Sequence, residues 1–295
     1  MNTLDRLILG DNPFFGVSHM SEERGMAQAV RFQETPAIIS VLDAAYDAGI
    51  RGFSFSTHDR VRQLCDHFRA HPDRYRDLRL YPALPYAQKY AMAVNEKGVL
   101  GAVKDVILGD NTAGGVLGML ARGSTAVLTQ NPVEMMKLLV DAEMRMFRGL
   151  KLGAVFLQNN IADLLMGLAF KEVFTEFVAY VEKKFGAPAG FMTLNLPRMT
   201  DFLIDVCGLR SPLICSAINP VGFQMSPDRA AYEKTLAQRD VRAVAMSVMA
   251  AGAVTPERAF EYLAKLPRVE AVVFGASSER NIRRTMEIAS RCWKE

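Results

Sequence analysis

The polar residues that follow the first two apolar runs of the chain are of types that move protons. The first run, RLILG, leads into Asp11 and Asn12, and His19 follows within the stretch LILGDNPFFGVSHM. The second run, GFSFS, ends in STHDR, which carries His58 and Asp59. A histidine titrating near neutrality beside a carboxylate is a workable acid–base pair. Asp11, His58 and Asp59 are therefore the candidate catalytic residues. Asp11, His19 and His58 also offer oxygen and nitrogen ligands suited to zinc, manganese or iron. Neither His-x-His nor His-Glu-x-x-His spacing supports a metal, and neighbours on an extended segment, such as His58 and Asp59, point opposite ways. His67 and His71, four apart among arginines, read as a helix-surface pair.

Side chains so far apart in sequence can act together only if the fold gathers them. Short, nearly continuous apolar segments alternate with amphipathic ones: RLILG, GFSFS, LRLYPAL, GAVFLQ, GFMTLN, PLICSAIN, VRAVAMSV and VEAVVFGA. Between them the pattern predicts helices. One begins at Thr35 as N-cap with Pro36 in its first turn and ends before Gly49; one long helix covers 161–185; one covers 198–208; one starts at Thr255 and Pro256; and the last begins at Ser277 and Ser278. Residues 86–131 read as an elaborated connection between strands 3 and 4. Eight apolar strands alternating with helices imply a parallel sheet covered on its outer side. The expected fold is α/β, a (β/α)8 TIM barrel forming a single domain over residues 1–295. A doubly wound sheet would carry a Gly-x-Gly-x-x-Gly turn after an early strand, and none is present. The echo of LILGDNPFFGV in VILGDNTAGGV at 106–116 has no wider repeat around it.

In such a barrel the chemistry lies at the carboxyl ends of the strands. The residues there are Asp11 and Asn12, Ser54 with His58 and Asp59, Gln158 and Asn159, Asn195, Asn219, Ser247, and the run GASSERN. With His19, the amides and Ser54 form the expected substrate-binding set, and Asp11, His58, Gln158 and Asn195 are expected to share one cavity. A helix N-terminus following Gly275 and Ala276 favours an anion such as a phosphate. Ser277, Ser278, Arg280 and Asn281 would hold it with Ser247 and Gly252, and Arg284 lies one turn beyond Arg280.

Composition narrows the partners. The chain has 295 residues, half apolar, 23% charged, with a net charge of +3. That charge is too small to imply nucleic acid. No apolar run is long enough to span a membrane, and there is no basic leader, so a cytoplasmic protein with a small-molecule ligand is expected. Four cysteines without Cys-x-x-Cys spacing read as reduced thiols.

Three segments carry a resemblance. VLDAAYDAGIRGFSFS, AVAMSVMAAGAVTPERAFEYL and VEAVVFGASSERNIRRTMEI, with the opening LGDNPFFG, together resemble the aldo-keto reductase superfamily, with its A-x-x-A-G-I helix end, A-x-S-P-L-A-x-G strand 7 and G-A-S-S strand 8. The resemblance implies a (β/α)8 barrel and an NAD(P) cofactor with phosphates near Gly252 and Ser277 to Asn281. It also implies a carbonyl-reducing tetrad of aspartate, tyrosine, lysine and histidine. Those four positions fall on Ser54, Asp59, near Ala83 and on Gln158. None can reproduce a proton-donating tyrosine assisted by a lysine. In the implied nicotinamide pocket Asn195 matches, whereas Met246 and Ser216 replace a tyrosine and a glutamine.

Three functions follow. The leading expectation is non-redox acid–base chemistry by Asp11, His58 and Asp59 in a lyase, isomerase or dehydratase. The alternative is a divergent NAD(P)-dependent oxidoreductase with a relocated acid, for which simple aldehydes would be poor substrates. The third is a non-catalytic ligand-binding barrel.

Overall fold

The computed structural model describes residues 4–16, 21–85 and 131–293. Eight parallel strands close into a barrel in sequence order. They are β1 (Leu7–Gly10), β2 (Gly52–Ser56), β3 (Arg79–Leu84), β4 (Val155–Leu157), β5 (Ala189–Thr193), β6 (Leu213–Ala217), β7 (Arg242–Met246) and β8 (Val269–Gly275). Closure is made by β1, which pairs Ile8 with Gly52 on one side and Gly10 with Gly275 on the other. Around the barrel run α1 (Glu22–Arg31), α2 (Thr35–Asp47), α3 (Asp59–Ala70), α4 (Pro132–Met144), α5 (Asn159–Gly167), α6 (Lys171–Phe185), α7 (Leu196–Asp201), α8 (Arg229–Gln238), α9 (Pro256–Leu263) and α10 (Glu279–Cys292). No helix among the described residues is long and apolar enough to cross a membrane.

The period-two alternation of strand side chains sorts the core into two layers. Outward residues such as Phe53, Phe55, Leu84, Phe191, Ile214 and Phe274 pack under the helices. Inward residues Ile8, Tyr81, Phe156, Leu213, Cys215, Val244 and Ala271 fill the barrel with Leu4. The two large inward rings demand glycine beside them. A Cβ on Gly153 would lie 2.1 Å from Tyr81 Cζ, and one on Gly190 would lie 2.5 Å from Phe156 Cε1. The Tyr81 hydroxyl is fixed at the amino end: it donates to Asp5 Oδ2 at 2.7 Å and accepts from the Asp5 amide at 2.8 Å. Arg79 donates to Asp5 Oδ1 at 2.5 Å. That end of the barrel is therefore plugged by a hydrogen-bonded ring.

Several helix boundaries differ from the expectation, each for a local reason. The helix expected over 161–185 is two, α5 and α6. Ala169 between them has φ 58°, and the Phe170 amide bonds back to Leu165 O at 3.1 Å. This is a left-handed helix stop built on alanine instead of the usual glycine, so the sequence carried no stop signal. The helix expected over 198–208 begins at Leu196, capped by Asn195, and passes into a π-helical turn at Phe202–Val206. Thr35 opens α2 as its first residue, and extended Glu34 occupies the cap position; the Thr35 hydroxyl donates instead to Gln63 Oε1. Thr255 caps α9 and Ser278 caps α10, as expected. The repeat-like segment at 106–116 and most of the 86–131 connection lie outside the described residues.

The ring contact generates a stability prediction. Gly153→Ala must displace Tyr81 or its own strand entry, an overpacking cost of about 1–3 kcal/mol. Urea denaturation should show this loss. A variant within about 0.5 kcal/mol of wild type, the range of neutral surface changes, would mean that the ring moves aside freely.

Candidate functional site

At the carboxyl end the last inward residues of β1, β2, β3 and β8 are small. Gly10, Ser54, Ala83 and Gly275, with Val273, Met192 and Met246, floor a cavity of about 780 Å³, within the range of small-molecule sites. A second cavity of about 440 Å³ lies elsewhere, beside the end of α4 and lined by Arg145, Arg148 and Lys184.

Asp11 stands on the wall of the larger cavity. It follows β1 directly, where the chain turns into the short 3-10 segment Asn12–Phe15 with Pro13 in its first turn. Its Oδ2 accepts both the Ser56 amide and the Ser56 hydroxyl, each at 2.7 Å. Burial pushes the Asp11 carboxyl above the ordinary aspartate range; the bonds from Ser56 and from its own amide pull the other way without cancelling it. A carboxyl held this way can carry a proton that an exposed aspartate would have lost.

The remaining expected residues separate into two groups. Asn12, Ser54, Gln158, Asn159, Ser247, Gly252, Gly275 and Asn281 line the same cavity as Asp11. The others among the described residues do not line it. His58 is the N-cap of α3, with Nδ1 accepting the Arg60 amide at 3.2 Å. Its ring stacks on Phe15, itself a cavity residue, at 4.5 Å. Asp59 is exposed in the first turn of α3. Asn195 caps α7 by accepting the Arg198 amide at 3.1 Å. Asn219 is buried and pins its own loop, exchanging hydrogen bonds of 2.8 Å with the Phe223 backbone. Ala276 is buried, Ser277 and Ser278 lie off the wall, and Ser278 accepts the Asn281 amide at 3.4 Å. Arg280 is exposed and away from the cavity, whereas Arg284 lines it and reaches Glu257 at 3.4 Å. The expected convergence of Asp11, His58, Gln158 and Asn195 thus reduces to Asp11 and Gln158. His58 and Asn195 are occupied at helix caps, because both end a strand where the next helix needs its first amides satisfied. His19 lies outside the described residues. Among the described residues no cluster of three or more histidine, cysteine, aspartate or glutamate side chains could hold a metal.

The cavity also recruits residues that the sequence did not single out. Gln28 comes from α1 and Gln224 from the loop after β6, and neither carries a motif. Seven non-glycine residues among those described have positive φ, and four of them, Gln224, Ser247, Ala250 and Ala251, gather where β6 and β7 end. Three of the four line the cavity. Such backbone costs on the order of 1–3 kcal/mol per residue and concentrates at functional sites. Gly275 has a packing reason as well, since a Cβ there would meet Pro13 Cγ at 3.2 Å.

No family model matches this chain, and no curated protein matches it. Solved structures do. A Pseudomonas aeruginosa protein described as an aldo-keto reductase superposes with a TM-score of 0.59 at 12% identity, covering 99% of this chain and 92% of that one. An aldo-keto reductase enzyme from a Medee basin deep-sea metagenome gives 0.54 at 8% identity, covering 86% and 81%. One from the silkworm, Bombyx mori, gives 0.53 at 12% identity, covering 98% and 79%. At these identities the likeness is one of fold: this chain shares the eight-stranded barrel of these structures.

The Asp11 environment has a stability consequence. A carboxyl whose folded pKa lies above its unfolded value binds its proton more tightly in the native state, so its contribution to stability is present at low pH and is lost as pH rises through the folded value. Asp11→Asn removes the ionisation. The variant should melt above wild type at pH 7, and the gap should close as pH falls toward the unfolded aspartate value of about 4. A variant less stable than wild type at pH 7 would show that the ionised carboxylate is the favoured native form.

Proposed function

We propose that this chain is a small-molecule enzyme, and that it is a divergent NAD(P)-dependent oxidoreductase in which Asp11 takes the proton-transfer role. The observation that carries the reading is a carboxyl pushed toward its protonated form on the wall of the cavity at the catalytic end of a barrel. The fold neighbours named as aldo-keto reductases support the oxidoreductase class over the non-redox one. The eight strands carry a single tyrosine, Tyr81, and it is tied to Asp5 at the opposite end. A proton donor for a developing alkoxide must therefore come from elsewhere, and Asp11 has the chemistry for it.

The residues fit a dinucleotide. Arg284 offers a guanidinium, Asn281 and Gln224 offer amides, Ser247 offers a hydroxyl, and Met192, Met246 and Val273 offer an apolar surface. Helix α10 runs for 14 residues from its Ser278 cap and reaches the cavity wall at Asn281 and Arg284, so the positive end of its dipole lies near a phosphate held there. When bound, a reduced nicotinamide supplies a hydride to a carbonyl carbon. Asp11 gives the proton to the carbonyl oxygen, Gln158 and Asn159 orient the substrate, and Arg284 anchors negative charge. The resemblance implies an aspartate at Ser54, a lysine near Ala83 and a histidine at Gln158, and this chain has none of the three there. Generic aldehydes should accordingly turn over well below the common ~1 per second. Four free cysteines fit a reducing, cytoplasmic setting.

One specific observation favours a second reading, proton transfer without redox: Ser54, Ala83 and Gln158, at or near the positions where the resemblance implies tetrad residues, line the cavity and none of them is titratable. Calorimetric titration with NADPH and NADH separates the two. Binding in the micromolar range supports the oxidoreductase, and Arg284→Ala should weaken it about ten- to a hundredfold, the range for one hydrogen bond to a charged group. No binding at millimolar NAD(P)H would leave the non-redox reading.

A further inference from the structure

Two donors meet a single oxygen on the cavity wall. The Ser56 N–H and the Ser56 Oγ–H both reach Asp11 Oδ2, each at 2.7 Å. The amide bond has a simple structural cause. Gly10 and Ser54 are the last residues that β1 and β2 pair with each other, and the Asp11 carboxylate takes up the Ser56 amide beyond them on β2. That explanation does not cover the hydroxyl. Ser54, two residues earlier on the same face, sends its hydroxyl to a strand carbonyl, Tyr81 O, at 3.0 Å. Ser56 sends its hydroxyl to the carboxylate. An oxygen that already accepts an amide, whose direction cannot reverse, and a hydroxyl is a poor seat for a proton. Among the described residues no other side chain donates to the Asp11 carboxyl.

We infer that Ser56 is a positioning residue for Asp11: by holding Oδ2 with two donors it makes Oδ1 the oxygen that carries the proton and delivers it into the cavity. The inference deepens the reading of Asp11 as the acid and rests on it. In the forward step the Oδ1–H bond breaks, a new O–H bond forms on the substrate oxygen, and the electron pair stays on the carboxylate. The charge left behind is met at once by the two donors on Oδ2. In the reverse direction the same oxygen takes the proton back. Among the described residues, Arg284 is the other charged side chain lining the cavity; His58 and Asp59 open α3 just beyond Ser56 and do not line it.

The test reads the carboxyl itself and needs no substrate. The protein is labelled with 13C at aspartate Cγ, and the Asp11 signal is identified as the one lost in Asp11→Asn. Ser56→Ala removes one donor from the ionised form, so the titration midpoint of Asp11 should move upward. Ser56→Thr keeps the hydroxyl and should restore the wild-type midpoint. A purely structural serine would leave the midpoint where it was, and that result, or a shift that Ser56→Thr fails to reverse, overturns the inference. NADPH calorimetry on the same samples reads the parent claim separately. A shifted midpoint without NADPH binding would remove the oxidoreductase and keep the Ser56–Asp11 coupling; NADPH binding with an unmoved midpoint would do the reverse.

Discussion

The fixed width of an eight-stranded barrel governs where this protein can hold anything. Only so many side chains fit inside such a barrel, and this chain fills the space unevenly. Tyr81 and Phe156 occupy the interior so fully that Gly153 and Gly190 beside them have no room for a Cβ. Toward the carboxyl end the last inward positions of β1, β2, β3 and β8 shrink to Gly10, Ser54, Ala83 and Gly275, while Met192 and Met246 remain on β5 and β7. The cavity is what that shortage of side-chain volume leaves, and its walls are whatever the strand ends and following loops bring there.

The same constraint accounts for the environment of Asp11, the acidic residue on the cavity wall. It leaves β1 one residue beyond the last paired position, next to β2, with burial opposing its ionisation and Ser56 partly offsetting that opposition. The backbone around it is also under tension: Gln224, Ser247 and Ala251 hold positive φ on the cavity wall without being glycine. A fold tolerates such residues only where surrounding packing over-determines them, and here the packing is the closed barrel beneath.

Much of this architecture was legible in the sequence, because burial on both sides of a parallel strand writes a continuous apolar run. GFSFS is strand β2 residue for residue, and Ser278 and Thr255 cap the helices that they precede. The α5–α6 break was not legible, because Ala169 adopts a conformation that glycine usually advertises. At the site, Asp11 and the strand-end serines could be found from period-two alternation. His58, Asn195 and Asn219 could not be told from ligand contacts, because a polar residue after a strand serves equally to cap a helix or pin a loop. Gln28 and Gln224 reach the cavity from a helix and a loop whose placement depends on the whole barrel, so no local pattern marks them.

The central claim is that the cavity between Asp11 and Arg284 is a dinucleotide-dependent active site. Backbone hydrogen exchange with and without saturating NADPH tests it most directly, because it reports where a ligand acts without assuming a substrate. The account predicts slowed exchange in two stretches, 246–252 after β7 and 275–284 across the start of α10, with smaller protection at 10–12. Unchanged exchange in all three, or protection confined to the amino end around Asp5 and Tyr81, would contradict it.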